Sequence, residues 1–465
     1  MKTMFFLCLW MFVAMVPVHV MAQETLPEKE KTAFTLEEAV NYAVNFSYSV
    51  QTSAIDLEIA KKKIWETTAI GLPQVSGTLS YQHIFTVPEM SFPATVLTEN
   101  RTPSTYSGVA VGADSVFLSM TEGSKIELGA ANSTTLDFTV SQLIFSGEYI
   151  VGLRASKVFR EMSEQNLAKS KLDIRESVTR SYYLVLVMEE NLRILKETQQ
   201  ITDKNMADIV ALNEQGLVES TGVDQLRIIK ANVDNTVANI ERGARITKSL
   251  LKFQMGIPVE REISLSDKLE QTFDEAGFNT YLQTAFDPTT TIDFKIVETA
   301  EKLQKLSYDR QKTTFLPSVA AYYRHQKLFN APEFNFQPAD VVGLSVNIPI
   351  FSSGMRVSQT QQAKMELNKM QLAKLQATEG LQIQYQTNIN DFQTAYSDYL
   401  TNKQNLELSK KIFDQTMIKY KEGMASTTDL HQTETQYLQT QGSYFTALNN
   451  LLGAKTRLDK LFSKI

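Results

Sequence analysis

Histidines, cysteines and paired carboxylates supply most catalytic and metal chemistry, so their placement sets the first constraint. The chain of 465 residues holds four histidines and one cysteine. His19, His83, His325 and His431 are scattered, and none starts a His-Glu-x-x-His pair or sits among carboxylates at ligand spacing. Cys8 lies in the N-terminal apolar segment, which leaves the remainder without a thiol, a disulfide or a thiolate metal site. No glycine-rich phosphate loop follows a strand pattern. The expectation is a protein that is not an enzyme and carries no cofactor and no metal.

Two glycines offer chemistry of another kind. Gly216 is followed by Leu217 and Val218, and Gly423 by Met424. Glycine accepts the positive φ that reverses a chain at a helix end. Apolar residues beside such turns are expected to be exposed and to seat a partner protein; plain helix stops are the simpler alternative. Asp429, six residues after Gly423, sits in the first turn of a helix, where the macrodipole favours a carboxylate.

The elements that position these residues begin after an export signal. Lys2, the apolar run 4–18 and the small residues before Gln23 predict a secretory signal over residues 1–22. No cysteine stands at the cleavage point, which argues against a lipid anchor. Beyond it no apolar run approaches a membrane helix, and 182–188 reads as one buried stretch of a longer helix. A soluble periplasmic protein and a β-barrel, whose alternating strands escape hydropathy, both remain open. Net charge is −6, or −7 once Lys2 is removed, and nothing in it invites nucleic acid.

The chain is a duplication. Leu72-Pro73-Gln74-Val75 recurs as Leu316-Pro317-Ser318-Val319, an offset of 244. The segment around Phe145 recurs around Phe351, an offset of 206, and Glu214-Gln215-Gly216 recurs as Lys421-Glu422-Gly423, an offset of 207. The excess, 244 less 206, is 38 residues and falls in one long loop, 83–133, of the first half. Each half reads helix, strand, loop, strand, long helix, glycine turn, long helix. Leu136, Phe138 and Val140 alternate with Asp137, Thr139 and Ser141, and Val342, Leu344 and Val346 with Gly343, Ser345 and Asn347. Val75, Leu79, Tyr81 and Phe85 make a weaker stripe.

Residues 153–215 contain no Gly or Pro, enough for roughly 95 Å of helix. Residues 381–422 are likewise uninterrupted and carry a four–three rhythm through Tyr385, Ile389, Phe392, Tyr396, Tyr399, Lys403, Leu406, Lys410, Phe413, Met417 and Tyr420. Such a rhythm is a coiled-coil seam. In the first half Ile174, Val178, Val185, Met188, Leu192 and Leu195 keep it, broken at Ser181. Four strands cannot close a barrel, and an open edge in lipid leaves backbone groups unpaired. Two or three copies would give eight or twelve shared strands, and the arithmetic does not choose.

Phe34-Thr35-Leu36-Glu37-Glu38-Ala39-Val40, Gly71-Leu72-Pro73-Gln74-Val75, Ser141-Gln142-Leu143-Ile144-Phe145-Ser146-Gly147, Pro349-Ile350-Phe351-Ser352-Ser353-Gly354 and Tyr420-Lys421-Glu422-Gly423 with Thr428-Asp429-Leu430 together resemble the TolC-type outer-membrane efflux protein family. The resemblance implies an α+β membrane protein: a homotrimer sharing a twelve-stranded outer-membrane β-barrel in outer-membrane lipid, above a periplasmic tunnel of coiled-coil helices. It implies export of small molecules, with a periplasmic adaptor and an inner-membrane pump as partners. The division it suggests is signal 1–22, first repeat 23–255, equatorial linker 256–293 and second repeat 294–465. Loop 83–133 would lie outside the cell, folded over the barrel mouth or extended as a hairpin.

The resemblance also assigns roles at the tips. Gly216, Leu217, Val218, Gly423 and Met424 become adaptor-docking residues, and Tyr420 and Asp429 pore-gate residues. The family has a second acid where this chain has Gln432, and the position usually partnering its tyrosine is Gly222. The hydroxyl tie from Tyr420 is therefore expected to be missing or taken over by Asp224 or Glu219, with closure resting on Phe413 and Met417. A soluble periplasmic coiled-coil scaffold is the alternative from another class.

Overall fold

In the computed structural model the described residues are 32–91, 94–99, 104–106, 109–111, 116–121, 125–127, 130–216, 218–269, 285–331 and 337–462. The expected signal 1–22, Leu217 and part of the linker 256–293 lie outside them. The first repeat runs β1 (Ala33–Phe34), α1 (Leu36–Phe46), α2 (Tyr48–Ala69) and β2 (Gln74–His83). It continues through β3 (Glu89–Ser91), β4 (Ala94–Glu99), β5 (Ser104–Tyr106), β6 (Val109–Val111), β7 (Val116–Thr121) and β8 (Lys125–Glu127). Then come β9 (Asn132–Phe145), α3 (Gly147–Glu214) and α4 (Ser220–Met255). After β10 (Ser264–Leu265) the second repeat supplies α5 (Ile292–Thr313), β11 (Ser318–Leu328), β12 (Asp340–Asn347), α6 (Met355–Lys421) and α7 (Thr427–Leu461).

The sheet order is β2–β9–β11–β12, antiparallel throughout, so β2 and β12 each keep one unpaired edge. Directly opposed residues share a face. The register therefore puts Val75 and Leu79 with Val140 and Leu136, and Ala321 and Val319 with Leu344 and Val346. The opposite face carries Ser76, Thr78, Thr139, Asp137, Arg324 and Ser345. The first face is mainly apolar, with His325, Lys327 and Asp340 on it toward the β9 N-terminal end, and the second mainly polar, the pattern of a barrel wall with lipid outside and water inside. The apolar face is open in the single chain, with Val342 at 82% exposure.

Loop 83–133 takes the extended-hairpin form: β3 pairs β8, β4 pairs β7 and β5 pairs β6, nested antiparallel rungs continuing outward from the β2–β9 pair.

Helices α3 and α6, of 68 and 67 residues, run past the predicted spans to meet the sheet. Each is roughly 100 Å long at 1.5 Å per residue. Within the α6 seam Phe392, Tyr399, Phe413 and Met417 are buried as expected. Lys410 is not part of it: the residue is exposed, and Ser409 beside it is buried instead. The lysine keeps its charged head in water, Ser409 takes the buried place, and the seam resumes at Phe413 and Met417. In α3 the run from Thr179 through Val187 is covered on nearly every side, and Ser181, which breaks the apolar rhythm, is itself buried.

That covering is a belt. β1 pairs in parallel with β10, and Phe34, Ala39, Ala43, Leu251, Met255 and Ile257 close over Tyr182 and Val185. The Tyr182 hydroxyl donates to the Phe34 carbonyl and to Asp267 Oδ2, both at 2.9 Å. Asp267 also accepts from the Leu36 N–H at 2.7 Å. The start of the first repeat and the segment that follows it are thus pinned to one point on α3.

Candidate functional site

At the end away from the sheet the helices turn at the two glycines. Gly216 has φ 77° and Gly423 φ 71°, and a Cβ at either would meet nothing within 4 Å. After Gly423 the Met424 N–H reaches back to the Lys419 carbonyl at 2.8 Å, a Schellman closure of α6. Met424 is left 68% exposed.

Val218 departs from expectation. It is half-buried, its carbonyl accepts from Asn213 Nδ2 at 2.7 Å, and it packs onto the cluster of Leu195, Ile209 and Leu226. The chain leaving Gly216 folds back at once to start α4, which turns Val218 inward. Leu217 lies outside the described residues.

Between the two turns opens a cavity of about 830 Å³, lined among others by Ile209, Leu212, Val218, Gly222, Tyr420 and Thr427. Gly222 makes the close approach possible: a Cβ there would sit 3.2 Å from Val218 and 3.4 Å from the Thr427 hydroxyl. Tyr420 is half-buried against both hairpin cores. Its hydroxyl makes no hydrogen bond within the described residues of the chain. Asp224 pairs with Arg227 and Glu219 with Thr221, so neither replaces the missing tie.

Asp429 is exposed and forms a capping box with Ser426. Its carboxylate accepts the Ser426 N–H at 3.0 Å and the Ser426 hydroxyl at 2.7 Å, and its own N–H donates to that hydroxyl at 3.1 Å. The hydroxyl and N–H of Ser426 hold the carboxyl below the usual carboxylate range. Ser426 thus favours the charged form of the residue within the chain.

Deeper between the hairpins lie residues that the sequence reading passed over. Thr202 Oγ1 donates to Glu434 Oε1 at 2.9 Å, and Glu434 is 3% exposed. Asn205 Nδ2 donates to Met417 Sδ at 3.2 Å, and Gln441 Nε2 to Asn191 Oδ1 at 3.0 Å. Burial pushes the Glu434 carboxyl up, and the Thr202 hydroxyl opposes that only in part. The signal was present: Leu430, Glu434, Tyr437, Gln441 and Phe445 follow one buried stripe of α7. Among the described residues no three His, Cys, Asp or Glu side chains gather to hold a metal ion.

Comparison with known proteins bears on the whole arrangement. Residues 298–463 match the family described as outer membrane efflux protein. The chain superposes on the CmeC outer membrane channel of Campylobacter jejuni with a TM-score of 0.69 at 16% identity, covering 92% of this chain and 85% of that one. This is a TolC-type efflux-channel fold. VceC of Vibrio cholerae shares it with a TM-score of 0.64 at 14% identity, over 92% of this chain and 95% of that one. The open-state MtrE channel of Neisseria gonorrhoeae gives 0.67 at 14%, over 92% and 88%. Against curated proteins the chain shows no significant match.

Proposed function

We propose that this chain is the outer-membrane channel of a tripartite export system, working as a homotrimer whose three sheets share one twelve-stranded barrel. The observation that carries the reading is the four-stranded sheet with an apolar and a polar face and both edges unpaired. Unpaired backbone groups cost several kcal/mol each in lipid, so β2 of one copy needs β12 of the next. The helices below present matching open flanks. Tyr48, Ile55 and Ile59 are exposed on α2, and Met365, Leu372 and Leu375 on α6. Among the described residues no helix is long and apolar enough to cross a membrane.

On this reading the extended hairpin β3–β8 lies outside the cell, and the helices extend through the periplasm. The tips with Gly216, Leu217, Gly423 and Met424 face a periplasmic adaptor and, through it, an inner-membrane pump. Val218 supports the docking surface from beneath. The three Asp429 carboxylates converge near the axis, where they favour cations, and Tyr420 packs beside them. The work is conduction, and no step of bond chemistry is assigned to any residue. The test is reconstitution in a planar bilayer: a trimeric pore conducts, whereas a soluble periplasmic scaffold neither inserts nor resists carbonate extraction.

A further inference from the structure

The plane between the two helical hairpins changes character with depth. At the belt it is apolar, where Tyr183 and Val187 of α3 pack with Phe392 and Tyr399 of α6 and Leu448 and Leu451 of α7. Nearer the tips each hairpin closes on a core of its own. Ile209, Leu226 and Val233 belong to the first, and Phe413, Leu430 and Tyr437 to the second. Half-buried Tyr420 and Leu438 touch the first core. On the tip side of the belt the described residues bond across the plane from Gln441 to Asn191, Thr202 to Glu434 and Asn205 to Met417, and on the sheet side Lys460 of α7 pairs with Asp173 and Glu176 of α3. The plane is thus apolar at the belt and carries polar links on its tip side.

We propose that Glu434 is a proton-operated latch between the two hairpins: protonated, it stays in the plane and holds the hairpins together, and ionised it forces them open to reach water. The inference rests on the channel reading and adds a control to it. A buried carboxylate is tolerated only when it is paired or well hydrogen-bonded. Here its one donor among the described residues is the neutral Thr202 hydroxyl of α3, whose single proton is shared with the Thr198 carbonyl at 3.0 Å, and no cationic side chain of the described residues forms an ion pair with it. Met417 faces the same layer from α6, bonded to Asn205. The titratable neighbours on α7 are His431, whose Nδ1 is buried without a hydrogen bond, and Tyr437, which burial keeps neutral.

The sign follows from the direction of the shift. The packed carboxyl titrates above its free value of 4.5. Its contribution to packing is complete below that free value and is lost as pH rises through the raised one. Acid therefore favours the closed pair, and the equilibrium moves by at most about tenfold per pH unit for each chain across the window.

The full-length protein is studied in lipid from about pH 5 to about pH 8, by single-channel recording and by amide hydrogen exchange over 198–205 and 430–441. In the wild type, open probability and exchange both rise with pH. Glu434→Gln, which mimics the protonated group, gives a flat profile on the closed side. Thr202→Val shifts the rise to higher pH, because the one hydrogen bond favouring the ionised form is gone. A Glu434→Gln protein that keeps the wild-type slope in exchange or in conductance overturns the latch. Absence of conductance in every variant at every pH instead counts against the channel, and the exchange profile still decides the latch.

Discussion

Ser426 and Asp429 cap one another at the start of α7, with the Ser426 N–H 3.0 Å from the Asp429 carboxylate and the Asp429 N–H 3.1 Å from the Ser426 hydroxyl. Capping and pore lining can be separated by substitution. Asp429→Asn keeps an acceptor for the Ser426 N–H and removes the charge, whereas Asp429→Ala removes both. Both variants are expected to lose cation preference in reversal-potential measurements, and only Asp429→Ala to fray α7 in hydrogen exchange. Unchanged selectivity in Asp429→Asn would leave the residue as a cap alone.

The two tips call for opposite outcomes at Met424 and Val218. Met424→Asp replaces an exposed side chain and is expected to change stability by no more than about 0.5 kcal/mol while abolishing export of a test dye. Combining it with Leu217→Asp deepens the same defect. Val218→Asp puts a polar group against the first hairpin core and lowers stability by about 1–3 kcal/mol. Thermal unfolding beside a transport assay distinguishes them. Full transport by the Leu217→Asp, Met424→Asp protein at normal abundance refutes docking at the tips.

Two left-handed glycines, Gly256 at φ 77° and Gly423 at φ 71°, differ in their surroundings. A Cβ at Gly256 would lie 2.3 Å from the Phe46 carbonyl oxygen, while one at Gly423 would meet open space. Gly423→Ala is expected to cost about 1–2 kcal/mol for the left-handed backbone alone. Gly256→Ala adds a backbone collision in the belt and costs clearly more. Equal melting temperatures for the two would contradict this account of the belt.

Much of the fold was legible because the constraints on it are local or repeated. The duplication put the 38-residue excess at 83–133, and the glycine turns followed from the conformation that ends a helix. Whether that loop folded back or extended depended on strand pairing that its composition does not encode. Val218 was misread because exposure at a turn depends on where the next helix begins, and α4 begins two residues later. Lys410 was placed in the seam by spacing alone, although a charged head stays in water and the small Ser409 beside it can take the buried place. Glu434 was passed over because an acid on a polar helix reads as solvated, although its spacing from Leu430 and Tyr437 sets it on the buried stripe.

The apolar flanks of α2 and α6 are expected to meet in the assembly. Ile55→Asp with Ile59→Asp places two charges in that contact and should leave the chain helical but unassembled, as read by circular dichroism and cross-linking. Normal cross-linked oligomers from this variant would put the contact elsewhere.

The central claim is that the open sheet of one chain is completed by others. Native mass measurement of the detergent-extracted protein tests it most directly. The account predicts a mass of three chains, because three four-stranded sheets close a barrel of about twelve strands. A folded monomer in mild detergent, with β2 and β12 still unpaired, would contradict it.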